Sequence, residues 1–193
     1  MTKIITIAIL CCLGVTALAQ KNGTFTDNRD GTKYKTVKVD ATTWFAENLR
    51  YKPQIGFWAY DDNEGNTDSC GYLYNWETAK TVCPAGWHLP TRSEWEKLII
   101  YFNGDQTAGG KLKSANYKTI NNGAPEKDSF VRCLCGYRSS VEEFSNKGKF
   151  SSWWTSDEWD ENGWEVRIFK TGAGIYINNF SKQRAYPVRC IKD

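Results

Sequence analysis

Histidine is almost missing from this chain: His88 stands alone among 193 residues. So little imidazole excludes a multi-histidine metal centre, and any histidine-based catalysis would have to use that one ring. Its neighbours Trp87, Leu89 and Pro90 read as a packed corner ahead of a helix, with no identifiable partner for a catalytic pair. Charge of one sign is scarce too. Against 22 Asp and Glu stand 25 Lys and Arg, a net +3 spread evenly, which argues against nucleic acid as a partner. No apolar run after residue 20 is long enough to cross a bilayer. Internal repeats and low-complexity segments are absent as well.

The one apolar run, residues 4–18, follows Lys3 and ends in Ala17-Leu18-Ala19, the small-x-small pattern of signal-peptide cleavage. Residues 1–19 therefore read as an export signal, and residues 20–193 as a single domain. Cys11 and Cys12 lie inside the run without the small residue that a lipid-anchored signal requires. The expected destination is the periplasm, the cell surface or the medium, with no membrane span after cleavage. Such compartments favour disulfides. Five cysteines remain there: Cys70, Cys83, Cys133, Cys135 and Cys190. An odd count leaves one thiol free or paired between chains.

Aromatic residues are plentiful, with nine Trp, ten Tyr and nine Phe, enough to build a core. Asp30-Gly31 reads as a hairpin turn, and residues 34–39 alternate as a strand. Leu73, Trp76, Ala79, Lys80 and Cys83 fall at helical spacing up to Pro84. Thr91 and Glu94 form a capping box ahead of Trp95, Leu98, Ile99 and Phe102, which predicts a helix over residues 92–102. Residues 53–69, 103–128 and 157–163 read as loops. Strands are expected at residues 130–134, 152–156, 164–170 and 175–177, and a last one over residues 186–191. Early helices followed by late strands give an α+β class.

Several blocks follow one another in a recognisable order: Asp30-Gly31-Thr32-Lys33-Tyr34-Lys35-Thr36-Val37, Thr43-Trp44-Phe45-Ala46-Glu47-Asn48-Leu49, and Gly71-Tyr72-Leu73-Tyr74-Asn75-Trp76. Cys83-Pro84-Ala85-Gly86-Trp87-His88-Leu89-Pro90-Thr91 is the most specific of them. Gly110-Lys111-Leu112-Lys113-Ser114, Gly136-Tyr137-Arg138, Trp154-Thr155-Ser156 and Pro187-Val188-Arg189-Cys190 complete the series. With these blocks the chain resembles the Fibrobacter succinogenes major paralogous domain family. The resemblance implies a C-type-lectin-like fold, with two helices packed on antiparallel sheets, long loops and a disulfide staple. It implies a bridge between Cys83 and Cys190. Arg132-Cys133-Leu134-Cys135 departs from the family pattern, and Cys70 is a partner for either Cys133 or Cys135.

A C-type-lectin-like fold directs attention to the acidic stretch Asp157, Glu158, Asp160, Glu161 and Asn162, whose oxygens suit calcium. The sugar-binding triplets of calcium-dependent lectins are missing from the chain, and a solvated loop is the simpler reading. A second acidic stretch, Asp61, Asp62, Glu64 and Asp68, fails the calcium-loop spacing. Trp153 and Trp154 point to opposite faces of a strand, so a sheet with one wet face would expose one of them. Trp159, set among charges, is the candidate exposed ring for stacking on a sugar or a protein. The expected function is non-enzymatic: a surface-exposed or secreted binding module for a glycan or a cell-surface protein. An alternative is a copper-dependent oxidase, because Leu89-Pro90-Thr91 with Glu94-Trp95 also resembles the formylglycine-generating enzymes, and paired thiolates at Cys133 and Cys135 suit Cu(I). A third reading is a structural cell-surface protein without a discrete ligand.

Overall fold

The computed structural model describes residues 22–113 and 130–193. The export segment expected at residues 1–19 lies outside the described residues, as does residues 114–128 of the expected loop. In chain order the elements are β1 (Asn22–Thr26), β2 (Lys33–Val39), β3 (Thr42–Phe45), β4 (Phe57–Trp58), α1 (Thr67–Cys70) and β5 (Leu73–Asn75). Next come α2 (Trp76–Ala79), β6 (Trp87–His88), α3 (Arg92–Tyr101), α4 (Asp105–Lys113), β7 (Cys135–Arg138) and β8 (Phe144–Lys147). The chain closes with β9 (Phe150–Trp159), β10 (Asn162–Phe169), β11 (Ile175–Ser181), β12 (Ala185–Pro187) and β13 (Ile191–Lys192). The class is α+β, dominated by two sheets.

One sheet runs β1-β2-β3-β13-β6, which brings the last strand between two early ones. The other runs β11-β10-β9-β7-β12-β5-β4, with β8 beside β7. Pairing is antiparallel except between β7 and β9, where Gly136 faces Ser151 in parallel. The expected β1–β2 hairpin forms, and Gly31 takes the left-handed conformation its turn demands, at φ 75°. The expected final strand is in fact two. The chain leaves one sheet after Pro187 and joins the other at Ile191, so Cys190 sits in the crossing and not in a strand.

Local signals explain the helices unevenly. The capping box is complete: the Thr91 hydroxyl accepts from the Glu94 amide at 3.1 Å, and the Glu94 carboxylate accepts from the Thr91 amide at 2.7 Å. The helix expected through Leu73 and Cys83 shrinks to α2, because Leu73 belongs to β5, where it pairs with Pro187 and Trp58. α4 was expected to be loop. Two consecutive glycines disfavour a helix intrinsically, but here they let it lie against the β10–β11 turn. A Cβ on Gly109 would stand 2.1 Å from the Gly174 carbonyl oxygen. Lys113 locks the same contact: its buried ammonium donates to the carbonyls of Phe169 at 2.6 Å and Gly172 at 2.7 Å.

Trp153 and Trp154 are both fully buried, so the sheet has no wet face over the first six residues of β9. Trp153 joins a core with Trp44, Trp95, Val166 and Ile168, roofed by α3 and α4. Trp154 joins a second core with Phe45, Tyr74, Trp76 and Tyr186. The neighbours Trp44 and Phe45 on β3 divide between the same two cores. At the seam lies Arg189, fully buried, donating to Asn48 Oδ1 at 2.6 Å, the Phe45 carbonyl at 3.0 Å and the Phe130 carbonyl at 2.5 Å. Asn48 Oδ1 also accepts from the Trp153 indole at 2.9 Å, and its amide nitrogen donates to the Cys70 carbonyl at 2.8 Å. Burial pulls the Arg189 pKa down to about 9, which still leaves it charged at neutral pH.

The Cys83–Cys190 disulfide forms as expected and spans a separation of 107 residues. A loop of about a hundred residues closed this way stabilises by up to ~4.7 kcal/mol in the chain-entropy description. Replacing Arg189 by Met should orphan two buried carbonyls at a cost of roughly 1–3 kcal/mol each. Urea unfolding of that variant is expected to show a markedly lower midpoint at unchanged slope.

Candidate binding cleft

An open cleft of about 500 Å³ lies where the β11–β12 turn meets β5, α2 and the end of β7. Trp58, Asn75 and Glu77 form one wall, Arg138, Ser140 and Glu142 the second, and Ser181, Lys182 and Gln183 the third. Glu161, at the tip of the β9–β10 hairpin, completes the rim. Each side chain is placed by ordinary local structure. Asn75 caps α2 by accepting from the Thr78 amide at 3.0 Å. The Arg138 guanidinium stacks over the Trp58 ring at 4.3 Å and pairs with Glu142 at 3.5 Å. Lys182 bridges Glu158 at 2.7 Å and the Asp160 carbonyl at 3.0 Å, which ties the hairpin tip to the cleft. The lining is rich in donors and acceptors around a single indole, a composition suited to a hydroxylated ligand. A second groove of about 510 Å³ between α3 and β11 is more apolar, with Ile99, Ile100 and Tyr176 in its walls.

The acidic residues expected to gather after β9 do other work. Residues 157–163, expected as a loop, form the end of β9 and a tight turn into β10, where Trp159 pairs with Asn162. The Asp157 carboxylate accepts from the Arg92 amide at 2.5 Å, at the start of α3. Glu158 is engaged by Lys182, which holds its carboxyl below the ordinary range through that hydrogen bond. Asp160 occupies the turn at φ 50°, and Glu161 faces the cleft. Trp159 is 60 % exposed as expected, with its edge against Trp164 at 6.2 Å. Of the other acidic stretch, Glu64 pairs with Lys52 at 3.1 Å and accepts from the Tyr72 hydroxyl.

Among the described residues, the side chains that could jointly hold a metal ion are Cys70, Cys133 and Cys135, with all three sulfurs within 4.8 Å of one another. Cys70 is bonded to Cys135, and Cys133 is the free thiol. Cys133 precedes β7, which starts at Cys135 and not at residue 130 as expected. Burial pushes the Cys133 thiol up, against smaller opposing influences from Ser69, Lys147 and Arg132. These sulfurs lie beside Asn48, whose amide nitrogen is 3.7 Å from Cys135 Sγ.

A model of the Fibrobacter succinogenes major domain family matches residues 37–192, and the chain belongs to that family. Searches of curated proteins and of solved structures found no match. No helix among the described residues is long and apolar enough to cross a membrane.

Of the candidate residues read from the sequence only Glu161 lines this cleft, whereas Asp157, Glu158, Trp159 and Asp160 do not, and Trp58, Asn75, Arg138 and Gln183 were not among the candidates. These come from separate segments and share no spacing. Gly136-Tyr137-Arg138 and Tyr74-Asn75-Trp76 were visible as blocks, without any sign that they border one cleft.

His88 is a clamp. Its Nδ1 lies 2.6 Å from Asp193 and its Nε2 lies 3.0 Å from Glu94, so the ring joins β6, α3 and the last residue. Burial pulls its pKa down, but hydrogen bonds to the Asp193 and Glu94 carboxylates outweigh it and the net shift is upward. A raised folded-state value means that the stabilisation is complete below the unfolded value of about 6.5 and fades as pH rises through the folded one. Thermal melts from pH 5 to pH 9 should show this decline in the wild type. In His88→Gln that component of the pH dependence should vanish.

Proposed function

We propose that this chain is an exported, non-enzymatic binding module that takes a glycan in the cleft beside Trp58. The observation that carries the reading is a polar concavity with an indole in its wall. Sugars are bound by packing on aromatic surfaces and by hydroxyls paired with amides and charged groups, and the cleft wall offers an indole with the Arg138 guanidinium stacked on it among such groups. The architecture is read as C-type-lectin-like. Support comes from α3 and α4 on a large sheet, and from a bridge joining the region after α2 to the last sheet crossing. Export is supported by two disulfides and by the leader-like residues 1–19. Trp159, exposed on the hairpin that borders the cleft, extends the surface toward a longer ligand or a cell-surface protein.

The copper-dependent oxidase draws support from the three gathered sulfurs, but its expected free pair is reduced to one thiol by the Cys70–Cys135 bond. A structural role without a ligand leaves the polar cleft unexplained.

A glycan array probed with the mature domain tests the reading, followed by calorimetry on whichever glycan binds. Trp58→Ala should weaken binding about tenfold, equivalent to ~1.4 kcal/mol, and Gln183→Ala, on the exposed β11–β12 turn, should weaken it while leaving the melting temperature close to that of the wild type. Trp159→Ala should weaken only longer oligosaccharides. Binding should survive a calcium chelator, because Asp157 and Glu158 already have protein partners. Absence of any signal on the array would remove the glycan reading, and calcium-dependent binding would relocate the site to the hairpin tip.

A further inference from the structure

The odd cysteine does not stand apart from the bonded ones. Cys133 Sγ lies 3.4 Å from Cys70 Sγ, while Cys70 is bonded to Cys135. Thiol–disulfide exchange needs a thiolate within reach of one sulfur of an existing bond, with the other sulfur free to leave. The thiol and the bond are held within reach of each other inside one domain, without an added reagent; the step still needs Cys133 to lose its proton against burial and its sulfur to swing into line with the bond. Cys133 and Cys135 are separated only by Leu134, so the same short segment carries the attacking and the leaving sulfur.

We propose that the three sulfurs share one mobile disulfide, which migrates between Cys70–Cys135 and Cys70–Cys133. Cys133 first gives its proton to solvent. The thiolate lone pair then forms the bond to Cys70 Sγ as the Cys70–Cys135 bond breaks. Its electron pair departs on Cys135, which takes up a proton. One S–S bond is lost and one is made, so nothing is oxidised or reduced.

The surroundings treat the two ends of the step differently. On the attacking side burial holds Cys133 in its thiol form, with Ser69 and the positive charges of Lys147 and Arg132 opposing it, so the step is favoured at alkaline pH. On the leaving side, the Asn48 amide points at Cys135 Sγ and would donate more strongly to a thiolate than to a disulfide sulfur. Accessibility differs between the two states. Cys133 is half-buried, whereas Cys70 and Cys135 are fully buried. Migration therefore replaces a thiol within reach of solvent by one that is sealed in the core. With the bond on Cys135, the domain offers a thiol that can be captured by a small or protein-borne disulfide. With the bond on Cys133, it offers none.

The test uses the intact domain held at pH 8.5, quenched in acid, unfolded in acid and alkylated before digestion. Tandem mass spectrometry then places the alkyl label on Cys133 or on Cys135. Expected is label at both positions in the wild type, with each pattern matched by its own disulfide-linked peptide. Cys133→Ser should give only the Cys70–Cys135 bond. Cys135→Ser should fold and carry a Cys70–Cys133 bond, which shows that the alternative pairing fits the structure. Label confined to Cys133 in the wild type after prolonged incubation would overturn the proposal, whatever the variants show. Recovery of label at both Cys133 and Cys135 in wild type that was never denatured before the quench would establish it, and label confined to Cys135 would overturn it as a single fixed Cys70–Cys133 bond.

Discussion

A buried guanidinium held by neutral oxygens is the constraint around which this domain is organised. Among the described residues, Arg189 donates to no carboxylate. Its donors are met by Asn48 and the Phe45 carbonyl from one stretch of the chain and by the Phe130 carbonyl from another, which with its own stretch makes three segments. Burying such a charge is costly unless every donor is matched, so the three segments are tied to one arrangement. Asn48 carries the constraint onward, to the Trp153 indole on the central strand and to the Cys70 carbonyl next to the sulfur cluster. Cys190 follows Arg189 directly, so the disulfide and the buried charge fix the same sheet crossing.

The consequence is a molecule with two cores and shared walls. Adjacent residues on β3 and on β9 send their rings to opposite sides, and both sides are dry. This uses the aromatic content fully: four of the largest buried side chains, Trp44, Trp95, Trp153 and Trp154, lie along or against these walls. The polar cleft is left at the margin, where β5, β7 and the β11–β12 turn reach past the second core. The walls of this cleft are rigid, because Trp58, Asn75 and Arg138 belong to strands or their ends and not to free loops. Of the three expected loops, residues 103–128 contain α4, residues 157–163 are the end of β9 and a tight turn that gives Glu161 to the cleft, and residues 53–69 give it Trp58 from β4.

What could be read directly from the residues is whatever depends on near neighbours. The Asp30-Gly31 turn, the Thr91–Glu94 capping box, the β10–β11 pairing and the exposure of Trp159 each rest on contacts a few residues apart or on simple alternation. Family resemblance added the Cys83–Cys190 bond, which spacing alone does not imply. Where the reading failed, a distant partner had reversed a local preference. Gly109 and Gly110 argue against a helix until the Gly174 turn is brought against them. Leu73 fits a helix until Pro187 and Trp58 pair with it. Trp153 or Trp154 should be wet until a second layer covers each face of β9.

By itself, then, the sequence determined the α+β class, the main hairpins, the first long helix and an odd number of cysteines, since these follow from local conformational preference and counting. Tertiary structure alone decided that Cys70 bonds Cys135, that Cys133 waits beside them, and that Trp58, Arg138 and Gln183 border one cleft. Those relations depend on distances between segments far apart in the chain. Such distances are set only when Arg189 and the two cores draw the segments into place.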